Sequence, residues 1–173
     1  SPGPVMAAAE SFGVTITGKG GHGALPDKTV DPVLIAAMTI NNLQTVVSRN
    51  IGALETAVVT VGSVPSGEAF NVIPDTAELR GTIRTYEPEV RERVLARVRD
   101  IITGTAQMMG GSAELELMAI TPALVNDASV TALVQDVVRD LLGPDALAGV
   151  KTMGSEFADI MMNASREGAA TRM

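Results

Sequence analysis

With 173 residues, a net charge of −7, 2% aromatics and no cysteine, the chain fits one domain, or one domain plus part of another, with a core of Val, Ile, Leu, Ala and Met. The acidic balance and the scarcity of aromatics speak against nucleic acid, which needs a basic face and stacking platforms. The lack of cysteine excludes disulfides and thiolate metal sites and suits a reducing compartment, and no apolar run approaches the ~20 residues of a membrane span.

In chain order, the opening residues have neither the basic region nor the apolar core of a signal peptide, and no initiator Met, as expected of an excised piece. Phe12, Val14 and Ile16 then alternate with Gly13, Thr15 and Thr17, a half-buried strand over residues 12–17. The stretch 18–26 (GKGGHGALP) follows, with four glycines and the single histidine, His22. Glycine there lets the backbone take positive φ and lie close to a ligand. Asp31 and Pro32 read as N-cap and N1 of a first helix. Its apolar face is expected from Val33, Ala36, Ala37, Ile40, Leu43 and Val47, with Gly52 just beyond its end.

Residues 56–64 are β-rich and form the second predicted strand, with Pro65, Ser66 and Gly67 as a turn. Residues 70–74 (FNVIP) are a short extended piece closed by proline. Over residues 76–85, Ala77, Leu79, Gly81 and Ile83 alternate with Glu78, Arg80, Thr82 and Arg84, a third strand with one polar face. Pro88 opens a second helix whose stripe is Val90, Val94, Val98, Ile101 and Ile102. Arg91, Arg93, Arg97 and Arg99 lie off that stripe, Glu89 and Arg93 form an i,i+4 pair, and Gly110 with Gly111 ends the helix. Ala113, Leu115 and Leu117 alternate with glutamates as the fourth strand.

The order over residues 12–120 is β-α-β-β-α-β, and each helix is apolar on one face. The economical packing is an α+β, ferredoxin-like sandwich: two helices on one face of a four-stranded antiparallel sheet. A third amphipathic helix follows, capped at Asn126 and Asp127, with Val130, Leu133, Val134, Val137, Val138 and Leu141 on its face. The sandwich has no vacancy for it. The pattern then weakens, leaving a loose tail after about residue 157.

For chemistry, one His and no Cys do not make a metal site, and neither G-x-S-x-G nor G-x-x-x-x-G-K-[ST] is present. Gly18-x-Gly20-x-x-Gly23 matches the dinucleotide fingerprint in form. That mechanism needs a helix starting inside the motif, and Pro26 and Asp31-Pro32 delay it. Taken alone, His22 is either a working residue or a solvated bystander. Arg84 either solubilises the sheet or grips a carboxylate at two points, and Asn71 reads first as a turn residue.

The segments VTITGKGGHGALP (14–26) with Asp31-Pro32, FNVIP (70–74), LRGTIRT (79–85), Thr121-Pro122 with Val125-Asn126-Asp127, and TMGSE (152–156) together resemble a known family. It is the amidohydrolase branch of the aminoacylase/carboxypeptidase G-type metallopeptidases, which includes hippurate hydrolases. The resemblance implies that residues 12–120 are the lid or dimerisation domain, residues 1–11 a remnant of the catalytic domain, and residues 121–173 a partial return into it. It implies a cytoplasmic homodimer joined through the lid's edge, residues 56–64, and acting on N-acyl amino acids with a pair of divalent metal ions, Zn, Mn or similar. His22 would polarise the scissile carbonyl in the partner's site. Asn71 would line the site, Arg84 would hold the substrate carboxylate, and Gly154 and Ser155 would contact substrate from the catalytic domain. The family's metal ligands lie outside this chain, and its usual Asp is missing between Glu156 and Phe157, so the chain alone is expected to be inactive. The alternative is a stand-alone ferredoxin-like module that pairs or binds a small ligand without catalysis. That module should bury the third helix in its own core.

Overall fold

The computed structural model describes residues 2–147, 149 and 151–154. In order it forms β1 (Gly3–Met6), β2 (Ala8–Thr17), β3 (Gly21–His22), α1 (Pro32–Asn50), β4 (Ala57–Ser63), β5 (Val72–Ile73), β6 (Thr76–Thr85), α2 (Pro88–Met108), β7 (Ser112–Thr121), β8 (Leu124–Asn126) and α3 (Ala128–Leu142). The main sheet runs β4-β6-β2-β7 and is antiparallel throughout, with α1 and α2 on one face. This is the expected ferredoxin-like sandwich. No helix among the described residues is long and apolar enough to cross a membrane.

Alternation builds the core. Phe12, Val14 and Ile16 of β2 stand opposite Gly81, Leu79 and Ala77 of β6, and all but the glycine are buried beneath the helices. Gly81 makes room for the Phe12 ring: a Cβ there would lie 2.4 Å from that ring and 2.1 Å from the Thr60 carbonyl oxygen. β2 starts at Ala8, four residues before the predicted start, and its alternation carries Glu10 to the helix side, where it is 4% exposed. The Arg91 guanidinium of α2 meets it, with Nε donating to Glu10 Oε1 at 2.7 Å. Arg91 therefore serves a buried carboxylate rather than a solvated helix face.

α1 starts as expected, with Asp31 Oδ1 accepting from the amides of Val33 (2.9 Å) and Leu34 (3.2 Å) ahead of Pro32. Its buried stripe differs from the predicted one. Pro32, Ile35, Ala36, Thr39, Leu43 and Val46 are buried, whereas Val33, Ala37 and Val47 are exposed. The first turns of α1 are apolar all round, so packing against α2 sets the rotation, including the Asn42 Nδ2 bond to Thr105 Oγ1 at 3.1 Å. The stripe of α2 is buried as predicted, and Gly110, at φ 83°, closes its C-terminus. Arg93 pairs with Glu55 in the α1–β4 turn instead of with Glu89.

The flanks join at one end of the sandwich. β1 pairs antiparallel with β8, and Met6 bridges Thr152 in parallel. α3 is capped by Asp127, whose Oδ1 accepts from the amides of Ser129 (2.8 Å) and Val130 (2.9 Å), and stops at Gly143, at φ 83°. None of its residues is buried, and Val130, Leu133, Val134, Val137 and Leu141 stand in solvent. The predicted third helix thus exists and does not belong to the sandwich core. The tail after residue 157 lies outside the described residues.

Candidate functional site

The glycine-rich loop leaves β2 after Thr17 and is tied at its neck. Lys19 and Val30 exchange backbone hydrogen bonds of 2.8 and 2.9 Å. Asp75 clamps the loop from the start of β6: its carbonyl oxygen accepts from the Gly18 amide at 2.9 Å, and its Oδ1 accepts from the Gly20 amide at 2.8 Å. Beyond the neck, Gly21 and His22 pair with Ile73 and Val72 as a two-residue ladder. The Gly23 amide then donates to the Asn71 carbonyl oxygen at 2.8 Å.

This packing accounts for the glycines. A Cβ on Gly18 would lie 2.1 Å from the Val30 carbonyl oxygen, on Gly20 2.6 Å from that of Ile73, and on Gly23 3.0 Å from that of Asn71. None of the loop glycines has positive φ. They serve close backbone approach within the loop itself, which corrects the expectation of left-handed conformations. It also explains the G-x-G-x-x-G spacing without a phosphate, because the next full helix begins only at Pro32.

His22 projects from this ladder into solvent. Its Nδ1 accepts a hydrogen bond from the Ala24 amide at 3.0 Å. A neutral ring with Nδ1 so engaged carries its proton on Nε2, which leaves an outward N–H donor. Asn71 is exposed beside it, in the turn closed by the Val72 amide on the Ala69 carbonyl oxygen at 3.3 Å. His22 and Asn71, 49 positions apart in sequence, are thus brought together.

Two other predicted residues, Arg84 and Gly154, lie at the far end of the sheet. Arg84 sits near the end of β6, between Ala9 and Val58, on the face away from the helices. It lies eight residue steps along the strand from Thr76, about 27 Å. Gly154 is at Arg84's end: its carbonyl oxygen accepts from the Ala7 amide at 2.9 Å, two residues before the Ala9 that stands opposite Arg84. Tyr86 holds that segment, donating its hydroxyl to the Thr152 carbonyl oxygen at 2.6 Å with the Lys151 ammonium 5.6 Å from its ring centre. Burial pushes the Tyr86 hydroxyl up in pKa, and the neighbouring Glu87 charge adds to that. Ser155 lies outside the described residues. A cavity of about 610 Å³ opens at this end between Pro4, Ala8, Tyr86, Pro88 and Val125, with the Glu10–Arg91 pair in its wall. It is on the helix side of the sheet, apart from the Arg84 face.

The single chain therefore splits the predicted residues into two groups, His22 with Asn71 and Arg84 with Gly154. Sequence reasoning missed Asp75, Val72 and Ala24, which position the first group. The Pro74-Asp75 step after an extended run was the available signal for the clamp. Among the described residues no three His, Asp or Glu side chains converge as a metal site.

Comparison with known proteins agrees with the fold. Residues 9–107 match the family described as a peptidase dimerisation domain. N-acetylcysteine deacetylase of Bacillus subtilis is 42% identical over 127 residues, which cover 73% of this chain and 33% of that protein. Hippurate hydrolase of Campylobacter jejuni is 32% identical over 141 residues, covering 82% and 37%. The crystal structure of a Bacillus subtilis protein described as a dinuclear metal binding peptidase from the M20 family superposes with a TM-score of 0.74 at 27% identity, covering 95% of this chain and 40% of that one. The chain spans about a third of the length of these curated relatives.

Proposed function

The chain belongs to the peptidase dimerisation domain family, and on that premise we propose that it is the lid of a metal-dependent amidohydrolase that cleaves N-acyl amino acids as a cytoplasmic homodimer. The observation that carries the reading is the Ala24 amide on His22 Nδ1, which leaves Nε2–H as an exposed donor on a braced loop. Such a donor suits an amide carbonyl oxygen that gains negative charge as the bond is attacked. Asn71 stands beside it to line the same site. Arg84 would grip the amino-acid carboxylate at two points, with the backbone at Gly154 and Ser155 closing around the substrate.

The separation of the two groups favours a site shared between copies. Among the described residues β4 is an edge strand, paired only with β6. A two-fold axis perpendicular to the sheet would pair β4 with itself antiparallel and continue the sheet to eight strands. Ala57 stands opposite Thr85 and Ser63 opposite Arg80, so that pairing lays the His22 end of one copy beside the Arg84 end of the other. The metal ions of such an enzyme do not fit the described residues, which hold no ligand cluster. The exposed stripe of α3 favours the lid over a stand-alone module, which would have covered it.

Sedimentation of the chain at high micromolar concentration tests the reading. A dimer is expected, and a monomer would remove the shared site. In the full-length enzyme, His22→Ala should abolish most hydrolysis of an N-acyl amino acid while leaving the dimer intact. The chain by itself, supplied with Zn²⁺ or Mn²⁺, should not hydrolyse hippurate.

A further inference from the structure

Leu54 and Phe70 are fully exposed, and each sits in an anchored turn. In the Leu54 turn the Glu55 amide donates to the Gly52 carbonyl oxygen at 2.9 Å, and the Glu55 carboxylate accepts from the Gly52 amide at 2.8 Å and pairs with Arg93 of α2. In the Phe70 turn the Val72 amide closes on the Ala69 carbonyl oxygen, and the neighbouring Asn71 and Val72 are bonded to Gly23 and His22. Turns braced in this way hold an apolar side chain outward. The two turns lie at opposite ends of edge strand β4: Leu54 precedes Ala57, while the half-exposed Val64 and then Phe70 follow Ser63.

We propose that in the self-paired dimer Leu54 of one copy packs against Phe70 of the partner subunit, with the partner's Val64 beneath it. This rests on the edge-strand pairing proposed above and adds the contact that sets its register. A two-fold axis near Thr60, the midpoint of β4, runs the two strands antiparallel and brings the Leu54 turn of each copy to the Val64–Phe70 loop of the other. Ala57, Val59 and Val61 turn one face of β4 to the core, which fixes the face of a self-pairing but not its register, because a slip of two residues keeps every side chain on its own face. Two apolar turns at fixed spacing select one register. That register seats the hairpin bearing the partner's His22 and Asn71 beside the Arg84 end. Leu54 and Phe70 touch no reacting atom in this arrangement. They are interface contacts that complete the site by placing it.

The chain has no cysteine, so Leu54→Cys and Phe70→Cys each introduce a single thiol. The two variants are mixed at a concentration where sedimentation shows each to be dimeric and are treated with a short bis-maleimide. A covalent dimer is expected from the mixture and from neither variant alone, because the two-fold axis separates the two Leu54 positions by about 40 Å of strand. A dimeric mixture that does not cross-link, or single variants that cross-link as well as the mixture, would overturn the Leu54–Phe70 contact and leave the self-pairing standing. A wild-type chain that sediments as a monomer would remove the self-pairing and the contact together.

Discussion

The Ala24 amide donates to Nδ1 of His22 at 3.0 Å, so two residues of one turn decide which ring nitrogen of the single histidine carries the proton. The neutral side chain is expected as the Nε2–H tautomer, and ¹⁵N NMR of the ring reads this without assignment ambiguity. An Nδ1–H tautomer at neutral pH would contradict the site geometry. In the full-length enzyme, His22→Ala should lower kcat about 10²- to 10³-fold, the usual cost of losing one oxyanion donor. His22→Gln, with an amide N–H of similar reach, should retain more activity than His22→Ala.

Glu10 is the one buried carboxylate of the sandwich among the described residues, and Arg91 is its partner. Arg91→Met should destabilise the chain by on the order of 3 kcal/mol, because it strands a buried charge, with the half-open arginine side keeping the loss at the low end of that class. Arg93→Met removes only an exposed pair with Glu55 and should barely move the urea midpoint. Glu10→Gln together with Arg91→Met should recover part of the loss. Equal midpoints for the two single arginine variants would show that Glu10 is not desolvated.

Gly81 stands opposite Phe12 across the β2–β6 pair. Gly81→Ala drives a Cβ into the Phe12 ring and the Thr60 carbonyl oxygen, and a strained core of this kind costs about 1–3 kcal/mol. Gly62 on β4 has nothing within 4 Å of its Cβ position, so Gly62→Ala is the matched control and should be neutral or slightly stabilising. Thermal melts of the two variants separate the effects. Gly81→Ala should also weaken any dimer, since the displaced Thr60 lies on the edge strand.

These cases show where the chain was legible. Phe12, Val14 and Ile16, and Val90 to Ile102, alternate or repeat without competition, so their buried faces follow from spacing. α1 carries six consecutive apolar residues from Val33 to Met38, and periodicity cannot choose a face there; the polar Thr39 was buried instead of Val33. Arg93 chose Glu55 over Glu89 because a loop 38 positions away folds onto it, which no local rule contains. The candidate site was half legible. Its residues came from motif resemblance, but the pairing of His22 with Val72 rests on two-residue strands that carry no alternation. The splitting of His22 from Arg84 is a property of strand order, visible only once the sheet is assembled.

α3 has no buried residue, so its N-terminal turn depends on local interactions, chiefly the Asp127 cap. The Ser129 hydroxyl and the Val130 and Ser129 amides all donate to the Asp127 carboxylate and hold its pKa below the ordinary 3.8. A carboxyl group with a depressed folded pKa stabilises the folded form fully above its unfolded value and loses that contribution as pH falls through the lower, folded value. The cap should therefore persist at pH 4 and fade only as the solution is acidified below 3.8. Backbone chemical shifts of the first turn of α3, followed during acid titration, check this. Asp127→Asn keeps an acceptor without a titrating charge, so its first turn should lose the acid transition. Asp127→Ala should fray that turn at every pH. Fraying of the wild-type turn already between pH 6 and pH 5 would mean that something other than this carboxylate holds the helix start.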